Sequence, residues 1–347
     1  MNLDYYFQKA IDKKASDLHL VEGSVPSLRI NGELVKIDKN PVPYGELRHS
    51  VFQYLESDIQ ERFRRKKDID LSMRFFENDF RVNLHFQEGR IGLTARLIPK
   101  YLPQPDEIGF DEVIYNLTHL KDGLILVTGP SGAGKSTTLA AMVDIINTER
   151  RAHIITIEDP IEYTFTDKQS IIEQRELGRD TRSFAEALKY ALRQDPNVIM
   201  VGEMRDLDTI IAALTAAQTG HLVLSTLHTS TAPETIERIV DYFPPQHHSQ
   251  VANQLASVLR AVITQQLLPT VDGGLVAARE IMINNAAISN LIRNNQYDQI
   301  ISVIQTSQQE GMITMNNSIT NLYNRGIISE IVAKNRIRNM ETKATYY

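Results

Sequence analysis

The sequence of 347 residues contains no cysteine, so neither a disulfide framework nor a thiolate metal site can form. It has no run of roughly 18 consecutive apolar residues, the length that a bilayer-spanning helix needs. The opening residues Met1–Phe7 lack the basic n-region and apolar h-region of a secretory signal. Basic charge is not in excess: 37 Lys and Arg stand against 43 Asp and Glu, a net charge of -6. That balance argues against a protein that coats nucleic acid, although a local basic channel stays open. These absences together predict a soluble, cytoplasmic protein that reaches a membrane only through a partner. What is present is globular in composition, 42% hydrophobic and 23% charged, and long enough for two domains with substantial cores.

Residues 1–19 open with an apolar stripe, Leu3, Phe7, Ala10, Ile11 and Ala15, at helical spacing. The run from Leu28 to Ile37 carries Asn31-Gly32 between two strand-like pieces, a hairpin signal because both residues tolerate positive φ. Residues 46–63 repeat Leu47, Val51, Leu55, Ile59 and Phe63 as a helix would. Three strands are expected at Ile69–Phe76, Phe80–Phe86 and Ile91–Ile98, with turns at Glu77-Asn78-Asp79 and Gln87–Arg90. Residues 1–98 thus read as a small mixed α/β domain with an antiparallel sheet. Pro99, Pro103 and Pro105 mark residues 99–110 as a restrained linker.

From residue 111 to 347 the pattern changes. Apolar strand-like runs at Leu124–Thr128, His153–Ile157, Val198–Val201 and His221–Thr226 alternate with helical segments near 136–147, 183–194 and 206–218. That alternation predicts a largely parallel sheet covered on both faces. Residues 250–268 and most of 286–338 read as a helical C-terminal part.

Gly129-Pro130-Ser131-Gly132-Ala133-Gly134-Lys135-Ser136, followed by Thr137, is a complete phosphate-loop motif between an apolar strand and a helix. Glycines let the backbone wrap phosphate oxygens with its N–H groups turned inward. Lys135 supplies a point charge, Ser136 a hydroxyl for Mg2+, and the helix start a partial positive charge. A chance Gly-rich turn would not bring both flanks with it.

Three further segments offer chemistry. Asn197–Glu203 is an apolar strand ending in an acid, placing Glu203 where such enzymes hold a carboxylate near Mg2+ and the γ-phosphate; Arg205 and Asp206 beside it also suit a surface ion pair. Glu158, Asp159 and Glu162 crowd negative charge at a strand end, where a carboxylate can orient attacking water or tune a cation, or simply form a solvated acidic loop. His228 follows a buried strand and is placed to sense a γ-phosphate. His221 opens that strand and suits a structural hydrogen bond better than a metal site.

The order of phosphate loop, Ile157-Glu158-Asp159-Pro160-Ile161-Glu162, Val201-Gly202-Glu203-Met204-Arg205-Asp206 and Gly220–Thr229 resembles the secretion and type IV pilus motor ATPases. Ala15–Leu20 resembles their N-terminal signature, and the likeness spans roughly residues 1–340. It implies a RecA-like P-loop NTPase domain preceded by a PAS-like α/β domain, in a homo-hexameric ring. It also implies ATP and Mg2+ as ligands, with Glu162 acting on attacking water. Glu203 is implied as an atypical Walker B glutamate, supporting Mg2+ directly or through water, and His228 as part of a His-box. Arg81 and Arg96 would be arginines that approach nucleotide phosphate across a domain or subunit boundary; their alternative is two solvent-facing side chains.

Within this superfamily the chain is most similar to the retraction branch, which disassembles pili and powers twitching motility at an inner-membrane platform protein. It starts close to the PAS-like domain and lacks the four-cysteine module of the pilus assembly and type II secretion branches. One position departs: Ala287-Ile288-Ser289-Asn290-Leu291-Ile292-Arg293 carries Ser289 where the branch has arginine. The departure leaves room for an accessory enzyme working beside a second retraction ATPase. A nucleic-acid translocase on the same core is disfavoured by the net charge, and Arg64-Arg65-Lys66-Lys67 reads as a solvated face. A non-catalytic ATP-binding ring subunit fits poorly with carboxylates that are all in place.

Overall fold

The computed structural model describes residues 1–30, 33–98 and 102–337. By packing, the chain divides into two compact units: Met1–Tyr101 with Pro160–Thr164, and Leu102–Asp159 with Phe165–Tyr347. The return of Pro160–Thr164 to the first unit has no signature in local sequence.

In the first unit the described residues form β1 (Asp17–Val21), β2 (Ser27–Ile30), β3 (Glu33–Lys36), β4 (Asp68–Phe75), β5 (Asn78–Gln87) and β6 (Arg90–Leu97). They make one sheet in the order β3-β2-β1-β6-β5-β4, antiparallel throughout. Period-two patterning explains the register, since β4 buries Ile69, Leu71, Met73 and Phe75 while its alternate residues face outward. The helix Leu3–Asp12 lays Leu3, Phe7 and Ala10 on this sheet. Phe7 stacks on Phe75 at 3.7 Å and meets Phe80 edge-on at 4.7 Å, the second a geometry favoured by the ring quadrupole.

Several expectations are corrected here. The first helix ends at Asp12 because Lys14 turns into the left-handed region, and the stretch continuing to residue 19 becomes β1. The helix expected over 46–63 is two helices, Glu46–Phe52 and Ser57–Lys66. Gln60 Nε2 donates to the carbonyls of Phe52 and Leu55, satisfying groups that the break frees. The β4–β5 turn uses Phe76 and Glu77, both at positive φ, rather than Glu77–Asp79. The Asn31-Gly32 turn and Pro99–Tyr101 lie outside the described residues, as does the chain beyond 337; β2 and β3 pair as the hairpin requires.

In the second unit the described strands are β7 (Gly123–Thr128), β8 (His153–Glu158), β9 (Ile171–Glu176), β10 (Val198–Val201), β11 (Leu222–Leu227), β12 (Leu259–Pro269) and β13 (Leu275–Ile283). Their order is β13-β12-β7-β11-β10-β8-β9. All neighbours are parallel except β12 and β13. Alternate strand residues serve two separate cores. Leu124, Ile155 and Ile199 pack with the helices Phe184–Ala191 and Leu207–Gln218, while Ile125, Ile154 and Val198 pack with Lys135–Glu149. Both faces being buried is why these strands read as unbroken apolar runs.

Residues 259–268 are a strand, not the helical continuation expected. The helix His248–Val258 stops where Leu259 becomes extended, and the run that follows carries β-branched residues suited to a buried strand. The edge strands β9 and β13 lie outside the four strands that the alternation predicts. Among the described residues, no helix is long and apolar enough to cross a membrane.

Candidate functional site

β7 is buried along its whole length and delivers the chain into Gly129–Ser136, after which the helix Lys135–Glu149 begins. Gly129 takes φ 141°, and a Cβ there would run into the carbonyl oxygen of Gln265. Glycine is therefore dictated by both backbone angle and space. The Lys135 side chain is buried and its Nζ donates to the Gly129 carbonyl at 2.8 Å and the Pro130 carbonyl at 3.0 Å. Pro130, Ser131, Gly132 and Ser136 are exposed, Ala133 is buried, and Gly134 and Thr137 are half-buried.

β11 and β10 bring two more expected residues to the same end of the sheet. His228 Nδ1 lies 3.4 Å from Lys135 Nζ, and its Nε2 lies 3.6 Å from Glu203 Oε2. A lysine ammonium only donates, so this arrangement calls for an Nε2-protonated ring facing the carboxylate. Glu203 also receives Arg205 Nε at 2.6 Å. Arg205 therefore pairs with the strand-end acid, not with Asp206, which caps the helix Leu207–Gln218 through Thr209. His221 Nδ1 bonds near Ala216 O and Thr219 Oγ1, a structural role.

The acidic segment divides. Glu158 is buried at the end of β8 and accepts from Thr156 Oγ1 and Gln174 Nε2. Glu162 belongs to the first unit, where it lines a cavity of about 180 Å³ with Arg81, Arg96 and Tyr163. Arg81 and Arg96 face each other across β5 and β6. Asp17, buried on β1, accepts from Arg96 Nε at 2.8 Å, so Arg96 is aimed by a carboxylate while its side chain stays largely exposed. The structure thus gathers Lys135, His228 and Glu203 in one unit and Glu162, Arg81 and Arg96 in the other. The basic run Arg64–Lys67 is exposed at the end of its helix, with Arg64 over the Phe52 ring and Lys67 over the Phe86 ring, and its positive charge complements the helix C-terminus.

The family model for Type II/IV secretion system proteins matches residues 2–338. The chain belongs to that family. Over 328 residues it is 43% identical to the type IV pilus retraction ATPase PilT of Pseudomonas aeruginosa, covering 93% of this chain and 94% of that protein. It is 36% identical over 332 residues to the type IV pilus ATPase PilU of the same organism, covering 95% and 87%. A crystal structure of the pilus retraction motor PilT with bound ADP superposes with a TM-score of 0.90 at 43% identity, covering 96% of each chain. This family member is a PilT-like P-loop ATPase of the two-part α/β type expected.

Local sequence does not reveal Gln265 on β12, which reaches the family's phosphate loop, or Arg279 on β13, which borders the cavity beside it. Gln265 Nε2 donates to the Ala133 carbonyl at 2.6 Å, and its Oε1 accepts from Thr138 Oγ1 at 2.9 Å. Arg279, opposite Gln265 in the register, donates to the carbonyls of Ile108 and Gly109, both at 2.7 Å. Burial pulls its guanidinium down to about 10, against a small opposing pull from Asp111. Both border a cavity of about 430 Å³ that continues from Gly134, Thr137 and Thr138. Neither residue could be found while 259–268 read as helix, because the signal is strand register.

Proposed function

We propose that the chain is the ATP-hydrolysing subunit of a homo-hexameric motor that retracts type IV pili. The observation that carries the catalytic assignment is the connected line Lys135–His228–Glu203, which joins the phosphate loop to a strand-end carboxylate. In this reading residues 1–98 form the N-terminal domain, 99–110 the linker and 111–347 the ATPase domain.

Gly129–Thr137 hold the phosphates with backbone N–H groups, and Lys135 leaves its loop carbonyls for the β- and γ-phosphate oxygens. The cavity beyond Gly134 and Thr138 takes the nucleoside end. Glu162 orients the attacking water and accepts its proton, while Arg81 and Arg96 offset charge on the transferring phosphoryl group. In other P-loop enzymes such an arginine contributes roughly 10³ to 10⁵ in rate. Ser136 and Glu203 offer the hard oxygen donors that suit Mg2+, which when bound neutralises phosphate charge. His228 reports the state of the phosphate site to Glu203. The ring works in the cytoplasm against an inner-membrane platform protein and needs no nucleic acid.

The accessory reading rests on Ser289, whose hydroxyl donates to the Asn284 side-chain oxygen at 2.9 Å. Complementation of a deletion strain separates the readings. Wild type restores retraction, while Lys135→Ala and Glu162→Ala, expressed at equal level, do not. Normal retraction by Lys135→Ala sinks the motor. Loss of retraction only when a second ATPase is also impaired establishes the accessory role. Purified protein hydrolyses ATP only with Mg2+, and turnover unchanged by Glu162→Ala removes that residue from the mechanism.

A further inference from the structure

Gln265 touches the phosphate loop at three points. Its own carbonyl packs against Gly129, so closely that a Cβ at residue 129 could not fit. Its side-chain amide donates to the Ala133 carbonyl and accepts from Thr138 Oγ1, and it borders Gly134 as well. The residue is 1% exposed. It sits on β12, which runs parallel beside β7, the strand from which the loop emerges. The adjacent pair Thr128–Thr264, hydrogen-bonded at 2.8 Å and buried, locks those two strands at the loop's base.

The bond to Ala133 has a consequence for its neighbour. A peptide unit is planar and trans, so its C=O and N–H point in opposite directions. Holding the Ala133 oxygen against β12 turns the Gly134 N–H away from β12. Gly134 lies at φ 83°, in a region where glycine moves freely, so this peptide needs an external partner to keep one orientation. The amide suits the task because it carries a donor and an acceptor in one rigid plane. Glutamate at 265 would lose the donor and leucine would lose both.

We propose that Gln265 is a positioning residue of the nucleotide site: its side-chain amide, braced by Thr138, aims the Gly134 N–H at a nucleotide phosphate. This rests on the reading of Gly129–Ser136 as a phosphate loop. The aimed donor meets the bound phosphate equally in ground and transition states. Its loss therefore appears as weaker binding and a raised KM, with kcat little changed.

The test measures ADP affinity, KM for ATP with Mg2+, kcat and the melting temperature of nucleotide-free protein for wild type, Gln265→Leu, Thr138→Val, Thr138→Ser and Lys135→Ala. A hydrogen bond to a charged group is worth enough that Gln265→Leu weakens ADP and raises KM about tenfold or more, with kcat within about threefold. Thr138→Val moves both in the same direction and Thr138→Ser restores them. The double variant Gln265→Leu with Thr138→Val is no worse than the worse single, since the two act as one unit. If Gln265→Leu does not fold, equal ADP affinity of Thr138→Val and Thr138→Ser overturns the proposal. So does a folded Gln265→Leu that keeps wild-type affinity, even with a lower melting temperature, because that marks a purely structural amide. ADP binding that Lys135→Ala leaves intact overturns the phosphate-loop reading itself, a result distinct from failure at Gln265 alone.

Discussion

Replacing Gly129 with alanine adds one methyl group, yet the structure assigns it a large effect. The residue has φ 141°, and the new Cβ would be driven into the backbone oxygen of Gln265 with the Ala133 Cβ also close at 3.1 Å. The obstacle is backbone in the middle of a buried sheet, so no side chain can swing aside. Carbon–oxygen contacts normally lie at about 3.3 Å or more, and relief requires the loop to move on the order of 1 Å. Displacement of that size at a phosphate cradle lowers turnover roughly 10²-fold. The backbone strain itself contributes about 1–3 kcal/mol against folding. Gly132→Ala is the control, because φ is 77° there but nothing lies within 4 Å of the added Cβ. It carries the strain without the collision. Steady-state ATP hydrolysis, read beside thermal melting of both variants, separates the two terms. Equal turnover in the two variants, or a folded Gly129→Ala with kcat/KM within about threefold of wild type, refutes the argument that β12 fixes this end of the loop.

Other consequences can be measured alongside. His228→Ala removes the group between Lys135 and Glu203 and should lower kcat on the order of 10²-fold, and a kcat within twofold of wild type would mean the line carries no catalytic function. Burial holds the His19 imidazole below its ordinary pKa; Arg29 and Arg96 act in the same direction and Asp17 opposes them. The unfolded chain therefore takes up this proton first as pH falls below about 6.5. The stability difference between wild type and His19→Gln should shift against wild type from pH 7 to 5, and a pH-independent difference in calorimetric melting contradicts the assignment. Ser289→Arg breaks the bonds from Ser289 Oγ to Ala256 O and Asn284 Oδ1 without touching the phosphate loop. It should leave ATP turnover within twofold while altering retraction speed, and an equal loss in both would place Ser289 in the nucleotide chemistry.

The legible parts of this chain are those whose signal is local. A phosphate loop needs glycines at fixed spacing, and the strands at β7, β8, β10 and β11 are apolar because two cores claim alternate residues. The hairpin β4–β5–β6 was visible for a related reason, since one buried face imposes period two. β12 defeated the same reasoning. Its Leu259–Ile263 segment continues directly from a helix with no Gly or Pro between them, and an apolar run flanked in that way has no period to separate helix from strand. The single helix drawn over residues 46–63 failed because Leu55 stays in the core after the helix has broken, preserving the apolar spacing.

The strand character of β12 also decides which site residues are legible in sequence. Lys135, Glu203 and His228 are visible because each follows an apolar strand within a few residues. Gln265 reaches the loop through strand adjacency at a sequence separation of 132 positions, that of its bond to Ala133. Arg279, opposite Gln265 in the register, reaches Ile108 rather than the loop, at a separation of 171 positions. Both are buried polar side chains that donate to backbone carbonyls, and a carbonyl leaves no mark on sequence because every residue has one. The residues that shape the loop from beneath are therefore read from register. The composition of β12 bears this out physically: Thr264 and Gln265 are its two fully buried polar residues, directly after the apolar run Ala261–Ile263. Burying those groups is tolerable only because Thr128, Ala133 and Thr138 satisfy them, and all three belong to the loop or to its immediate flanks.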